Sequence, residues 1–263
     1  MGTTICITGM HRSGTSLSAS WLERCGLPIH AGRLITPAEG NPKGHFEDLD
    51  MARLQAQSLQ RRGLGSVGWG LRGDRFLDFD PGERARAADL VAERDRVFPA
   101  WGWKDPRSVL FLEQWKALVP HLKVLAIWRP AADVVDSLLR RSRRTTNPDM
   151  RARAWPAVEL WKAYNRLVVA YKLRHPSSTL LLSLDDILTH DEHVMTLIDG
   201  RFDAGLHHVP IASLYQQGLL GRAGTSRRLA LLRVLTAHRG CTRLEDELCA
   251  LSDRPVPAPG RQP

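Results

Sequence analysis

The chain has no run of about 18 apolar residues, so no membrane-spanning helix is expected. No basic segment followed by an apolar stretch opens it, so no secretory signal is expected either, and a cytoplasmic location follows. Cysteine is scarce: Cys6, Cys25, Cys241 and Cys249 are the only four, and none shares a metal-ligand spacing with another. Buried free thiols are the reading that fits a reducing compartment, and no metal site is expected. There is no internal repeat, which sets aside solenoids and propellers. What is present is ample apolar content, 43% of 263 residues, enough to bury a full core as one domain over about residues 1–250. A net charge of +9 favours an anionic ligand. No recognised nucleic-acid-binding motif accompanies that charge, so nucleic acid is not the expected partner.

Residues 5 to 17, Ile-Cys-Ile-Thr-Gly-Met-His-Arg-Ser-Gly-Thr-Ser-Leu, carry the strongest local signal. A short apolar strand runs into a glycine turn and then into a helix start rich in hydroxyls. Such a turn points unpaired N–H groups and the positive end of a helix dipole at one spot, where an anion fits. Arg12, Ser13, Gly14, Thr15 and Ser16 are the candidate ligands of that anion. The spacing from Gly9 to Gly14 matches the start of the ATP- and GTP-binding loop. Thr15, however, stands where that motif needs lysine, which argues against a standard nucleotide triphosphatase. The basic group lies inside the loop as Arg12, and this Arg-Ser-Gly-Thr-Ser arrangement resembles the 5'-phosphosulfate loop of sulfotransferases that use 3'-phosphoadenosine 5'-phosphosulfate.

Two further segments resemble the same family in the same order. Lys123 to Trp128 reads as a buried strand that ends at Arg129-Pro130, and Ser137 lies roughly two turns into the helix that follows. Arg-Pro-x-x-Asp-Val-Val-x-Ser resembles the motif in which an arginine and a serine hold the cofactor's 3'-phosphate, a role the resemblance gives to Arg129 and Ser137. Trp101-Gly-Trp-Lys-Asp-Pro-Arg places Lys104 and Asp105 at the end of an extended segment, because Pro106 disfavours helix at the residue before it. Lys-Asp-Pro at this place resembles tyrosylprotein-type and several bacterial members, whose lysine reaches the transferring group. Residues 181–187, Leu-Leu-Ser-Leu-Asp-Asp-Ile, match a later Tyr-Glu-Asp-Leu strand less well, with Leu184 in place of the aromatic residue.

Strands are expected at 4–9, up to Lys104, at 123–128 and at 179–184. Helices are expected at 14–25, 50–62, 81–97, 107–118, 131–143 and 153–174. This alternation predicts an α/β fold, a P-loop-like parallel sheet with helices on both faces. The glycine-rich stretch 63–80 reads as a mobile loop or lid, and the proline-rich 254–263 as a disordered tail. Arg140 to Arg144 reads as a solvated helix end, or as the entrance for an acidic acceptor.

The resemblance implies metal-independent in-line transfer of a sulfuryl group to a hydroxyl or amine, releasing 3',5'-bisphosphoadenosine. A carbohydrate or other small-molecule alcohol is the expected acceptor. Arg12 and the amides of residues 13–16 then hold the leaving 5'-phosphate, and Lys104 neutralises the charge developing there. Glu39, His45, Glu47 and Asp48 are all open as the base, and Glu47 is preferred because the arginine-type loop goes with glutamate in the tyrosylprotein-like branch. A carboxylate that merely caps the next helix, or is salt-bridged before it, is its competing role. Two alternatives remain beside the transferase: a P-loop kinase for a nucleotide or small molecule, and a non-catalytic basic module that binds nucleic acid or nucleotide.

Overall fold

A computed structural model describes residues 2–30, 46–71, 73–214 and 227–253. Four parallel strands form one sheet in the order β2-β1-β3-β4. They are β1 (Thr3–Gly9), β2 (Ala100–Lys104), β3 (Lys123–Trp128) and β4 (Thr179–Ser183). Their apolar runs are continuous rather than alternating because both faces of the sheet are covered. Ile5, Ile7, Leu125, Ile127, Leu180 and Leu182 pack against one face under α1 (Thr15–Arg24) and α8 (Asp191–Phe202). Cys6, Val124, Ala126 and Leu181 belong to the opposite core, with α5 (Ala131–Ser142), α6 (Ala154–Arg174) and α10 (Cys241–Leu251). Parallel pairing and crossover helices are thus the expected α/β arrangement.

The chain leaves β1 in one direction to form β2 and returns past β1 to form β3. Gly9, Lys104 and Arg129 therefore end up along the same carboxyl edge of the sheet, where open α/β folds bind ligands. Two bonds fix the ends of β1 and β2 together: the Asp105 amide donates to Ile7 O (3.2 Å), and Thr8 Oγ1 donates to Asp105 O (2.8 Å).

Two expected elements differ. The helix expected over 107–118 is a 3-10 turn, Pro106–Phe111, followed by the short α4, Leu112–Leu118. Pro106 has no amide to give, and Asp105 Oδ1 accepts from both Arg107 N and Arg107 Nε (2.8 Å each), which tightens the first turn. The strand expected to reach residue 184 stops at Ser183, whose hydroxyl accepts from Asp186 N (3.0 Å) and starts α7, Leu184–Thr189. Asp48, not Glu47, caps α2 (Leu49–Arg61), accepting from Asp50 N and Met51 N. The described residues of the stretch expected as a mobile loop or lid, 63–71 and 73–80, are irregular chain with several hydrogen bonds to the rest of the fold. Asp149 accepts from Ser66 N and Ser66 Oγ, and Leu77 N donates to Leu110 O.

Cys6, Cys25 and Cys241 are buried free thiols, and Cys249 is exposed. No helix among the described residues is long and apolar enough to cross a membrane. Glu39, His45 and the tail from residue 254 lie outside the described residues.

Candidate active site

The loop between β1 and α1 is shaped by two glycines. Gly9 has φ 140°, and a Cβ there would stand 2.0 Å from Ile127 O. Gly14, the residue before α1, has φ 94°, and a Cβ there would lie 2.4 Å from Leu184 Cδ1. Side chains are excluded at both places by backbone angle and by space. Leu184, the residue that departs from the aromatic pattern, thus packs directly against the loop. Arg12 also takes a left-handed backbone angle, φ 70°.

Of the amides expected to face an anion, that of Ser13 is withdrawn, since it donates to Met10 O at 3.1 Å. The Ser13 hydroxyl is buried without a partner among the described residues. Thr15 and Ser16 stand at the α1 N-terminus, where first-turn amides have no intrahelical acceptor, and both line a cavity of about 500 Å³. Arg12 Nε donates to Ser137 Oγ at 2.9 Å. The first expected motif is thus brought against the second.

Burial, reinforced by Arg141, Arg140 and Arg129, lowers the Arg12 guanidinium to a pKa of about 10. Burial also lowers Arg129 and Arg141, with Asp133 and Glu47 respectively opposing it. Burial of these cations, and for Arg12 the like charges beside it, is what an anion relieves on entering. The orphaned Ser13 hydroxyl, the two glycines and the Arg12 guanidinium all fit a bound phosphate.

On the opposite side, Lys104 is 2% exposed, and its Nζ donates to Glu47 Oε1 at 2.7 Å. Arg107 Nη2 reaches Glu47 Oε2 at 3.4 Å and Asp105 Oδ2 at 2.8 Å. Gln55 Nε2 donates to the same Asp105 oxygen at 2.8 Å. Burial raises the Asp105 carboxyl pKa, against the pull of Arg107. Glu47 and Lys104 both line the cavity, and the two cations holding Glu47 fix its carboxylate at the wall.

His11 is a functional candidate that the sequence reading passed over. Its Nε2 meets Val67 O at 2.9 Å, which assigns the ring proton to that nitrogen, and its ring lines the cavity. Burial, with Arg107 and Lys104 nearby, depresses the imidazole to a pKa of about 3. Arg107, Arg141 and Arg144 also line the cavity. Arg141 and Arg144 belong to the stretch expected either as a solvated helix end or as the entrance for an acidic acceptor, and Arg141 follows Ser137 by one helical turn and so shares its face.

No family model matches the sequence, and no curated protein matches it either. Among solved structures, the sulfotransferase domain of the Synechococcus PCC 7002 olefin synthase superposes with a TM-score of 0.51 at 15% identity, over 95% of this chain and 93% of that one. The chain has the fold of a sulfotransferase domain. The sulfotransferase domain from the curacin biosynthetic pathway is also similar, with a TM-score of 0.49 at 13% identity over 87% of this chain and 82% of that one. For sulfotransferase STF1 from Mycobacterium tuberculosis H37Rv the values are 0.45 and 13%, over 95% and 77%.

Proposed function

We propose that the chain is a sulfotransferase that moves a sulfuryl group from 3'-phosphoadenosine 5'-phosphosulfate to a hydroxyl of a small-molecule acceptor. The observation that best supports this reading is the Arg12–Ser137 bond. It joins two phosphate-binding motifs 125 residues apart, beside a cavity whose other wall offers an acid–base pair. Arg12, Thr15 and Ser16 hold the 5'-phosphate, while Arg129 and Ser137 hold the 3'-phosphate that distinguishes this donor from ATP.

Glu47 takes the acceptor's hydroxyl proton as the new oxygen–sulfur bond forms. Lys104, already against Glu47, meets the negative charge that gathers on the 5'-phosphate oxygen as its bond to sulfur breaks. The products are the sulfated acceptor and 3',5'-bisphosphoadenosine. Positioning and fixed charge carry such a transfer, much as in phosphoryl transfer.

Thermal denaturation with 3',5'-bisphosphoadenosine, compared with ATP and magnesium, tests the reading without knowledge of the acceptor. The bisphosphate is expected to raise the melting temperature and ATP with magnesium to have little effect. The reverse order favours a kinase, and the donor assignment then fails.

A further inference from the structure

The cavity holds more positive charge than the donor uses. Among the described residues five cationic side chains line it, Arg12, Lys104, Arg107, Arg141 and Arg144, against one lining carboxylate, Glu47. Lys104 and Arg107 have carboxylate partners within the protein, and Arg12 sits at the phosphate loop. The neighbouring arginines of the same region are also matched. Arg140 and Arg228 both pair with Asp136, and Arg129 with Asp133 at 3.8 Å. Arg141 and Arg144 form no ion pair with a carboxylate among the described residues. Arg141 does feel Glu47 across the cavity, but that carboxylate is already held by Lys104 and Arg107.

We propose that Arg141 and Arg144 form the binding site for an anionic group on the acceptor, so that the substrate is an acidic hydroxyl compound, a phosphorylated, sulfated or carboxylated alcohol, rather than a neutral one. The inference rests on the sulfotransferase reading above and adds the acceptor's charge to it. Three features of the place support it. Arg141 lies in the last turn of α5 and Arg144 in the turn just past its end, where the Arg144 amide donates to Arg141 O at 2.9 Å, and both side chains line the cavity. Thr145, Thr146 and Asn147 continue the same wall with hydroxyl and amide donors suited to oxyanion atoms. Finally, Arg141 sits one turn beyond Ser137, so an anion held there stands beside the donor pocket and within the same cavity as Glu47 and Lys104, where its hydroxyl must be. Guanidiniums bind carboxylate and phosphate oxygens in pairs, which fixes orientation as well as charge.

The test uses the full chain saturated with 3',5'-bisphosphoadenosine, so that the loop's own anion site is filled, titrated calorimetrically with phenyl phosphate and, separately, with benzyl alcohol. Phenyl phosphate is expected to bind, and benzyl alcohol to bind at least tenfold more weakly. In the variant R141Q/R144Q, phenyl phosphate affinity is expected to fall by at least tenfold while bisphosphoadenosine affinity stays within about twofold. R144Q alone, at an exposed position that burdens folding least, is expected to give a smaller drop in the same direction. Equal affinity for the two probes overturns the proposal. So does a parallel loss of bisphosphoadenosine affinity, which assigns these arginines to the nucleotide. If the bisphosphate itself does not bind the unaltered chain, the sulfotransferase reading is what fails, and that outcome is visible before phenyl phosphate is added.

Discussion

The two walls of the cavity handle charge in opposite ways. On the β2 side, Lys104, Glu47, Arg107 and Asp105 form a closed set in which each ion has an opposite partner within 3.4 Å, and Gln55 and Ser66 satisfy remaining polar atoms. On the α5 side, Arg12 has Arg141, Arg140 and Arg129 for neighbours, and its pKa is pushed down first by burial and then by their charge. A closed set holds its members still and is suited to placing a proton acceptor. A repelling set stores unfavourable energy that a ligand of the opposite sign releases. On the function proposed above, the first wall serves the chemistry and the second the binding.

Substitutions on each wall separate these roles. Glu47→Gln strikes the paired side, and turnover, measured as bisphosphoadenosine released, is expected to fall by about 100-fold or more while nucleotide affinity is kept. Near-normal turnover in that variant removes Glu47 as the base. Arg129→Ala strikes the cationic side. It is expected to weaken 3',5'-bisphosphoadenosine by roughly 10- to 100-fold, from a lost charge-assisted contact of about 1.5 to 3 kcal/mol, and to leave 5'-AMP little changed. An equal loss for both nucleotides means that Arg129 does not read the 3'-phosphate.

A third prediction concerns stability rather than turnover or affinity, through His11, which belongs to the loop and lines the cavity. Its folded pKa of about 3 lies below the ordinary value of 6.5, so between those pH values the unfolded chain binds a proton that the native state refuses. Stability is therefore full above about pH 6.5 and is lost as pH falls toward 3, by at most about 1.4 kcal/mol per pH unit from this side chain. Urea midpoints measured at several pH values are expected to show a shallower acid limb in His11→Asn. An unchanged slope would mean that other groups carry the acid sensitivity.

Much of the frame was legible in local pattern. Three of the four apolar runs end at a glycine or proline signal, at Gly9, before Pro106 and at Arg129-Pro130, and these breaks put Arg12, Lys104 and Arg129 at or just beyond strand ends. What was less legible depends on contacts far apart in sequence. Arg140 to Arg144 looks like a solvated helix end because the helix pattern alone does not reveal that the loop holding Arg12 packs beside it. His11 looks like one more loop residue until Val67, brought back by the irregular chain over 63–73, accepts its proton. The expected helix at 107–118 began as a 3-10 turn because Asp105 satisfies Arg107 twice, a side-chain preference that helical periodicity does not record.

The contact between Leu184 and Gly14 has a consequence for redesign. The leucine methyls pack against the space above Gly14, so refitting position 184 with the larger ring of tyrosine cannot be done in isolation. Glycine is already the smallest residue available at position 14, so accommodation would have to come from shifting the start of α1 itself. Moving that helix would also move Thr15 and Ser16, which links the shape of the fourth strand's exit to the aim of the phosphate grip.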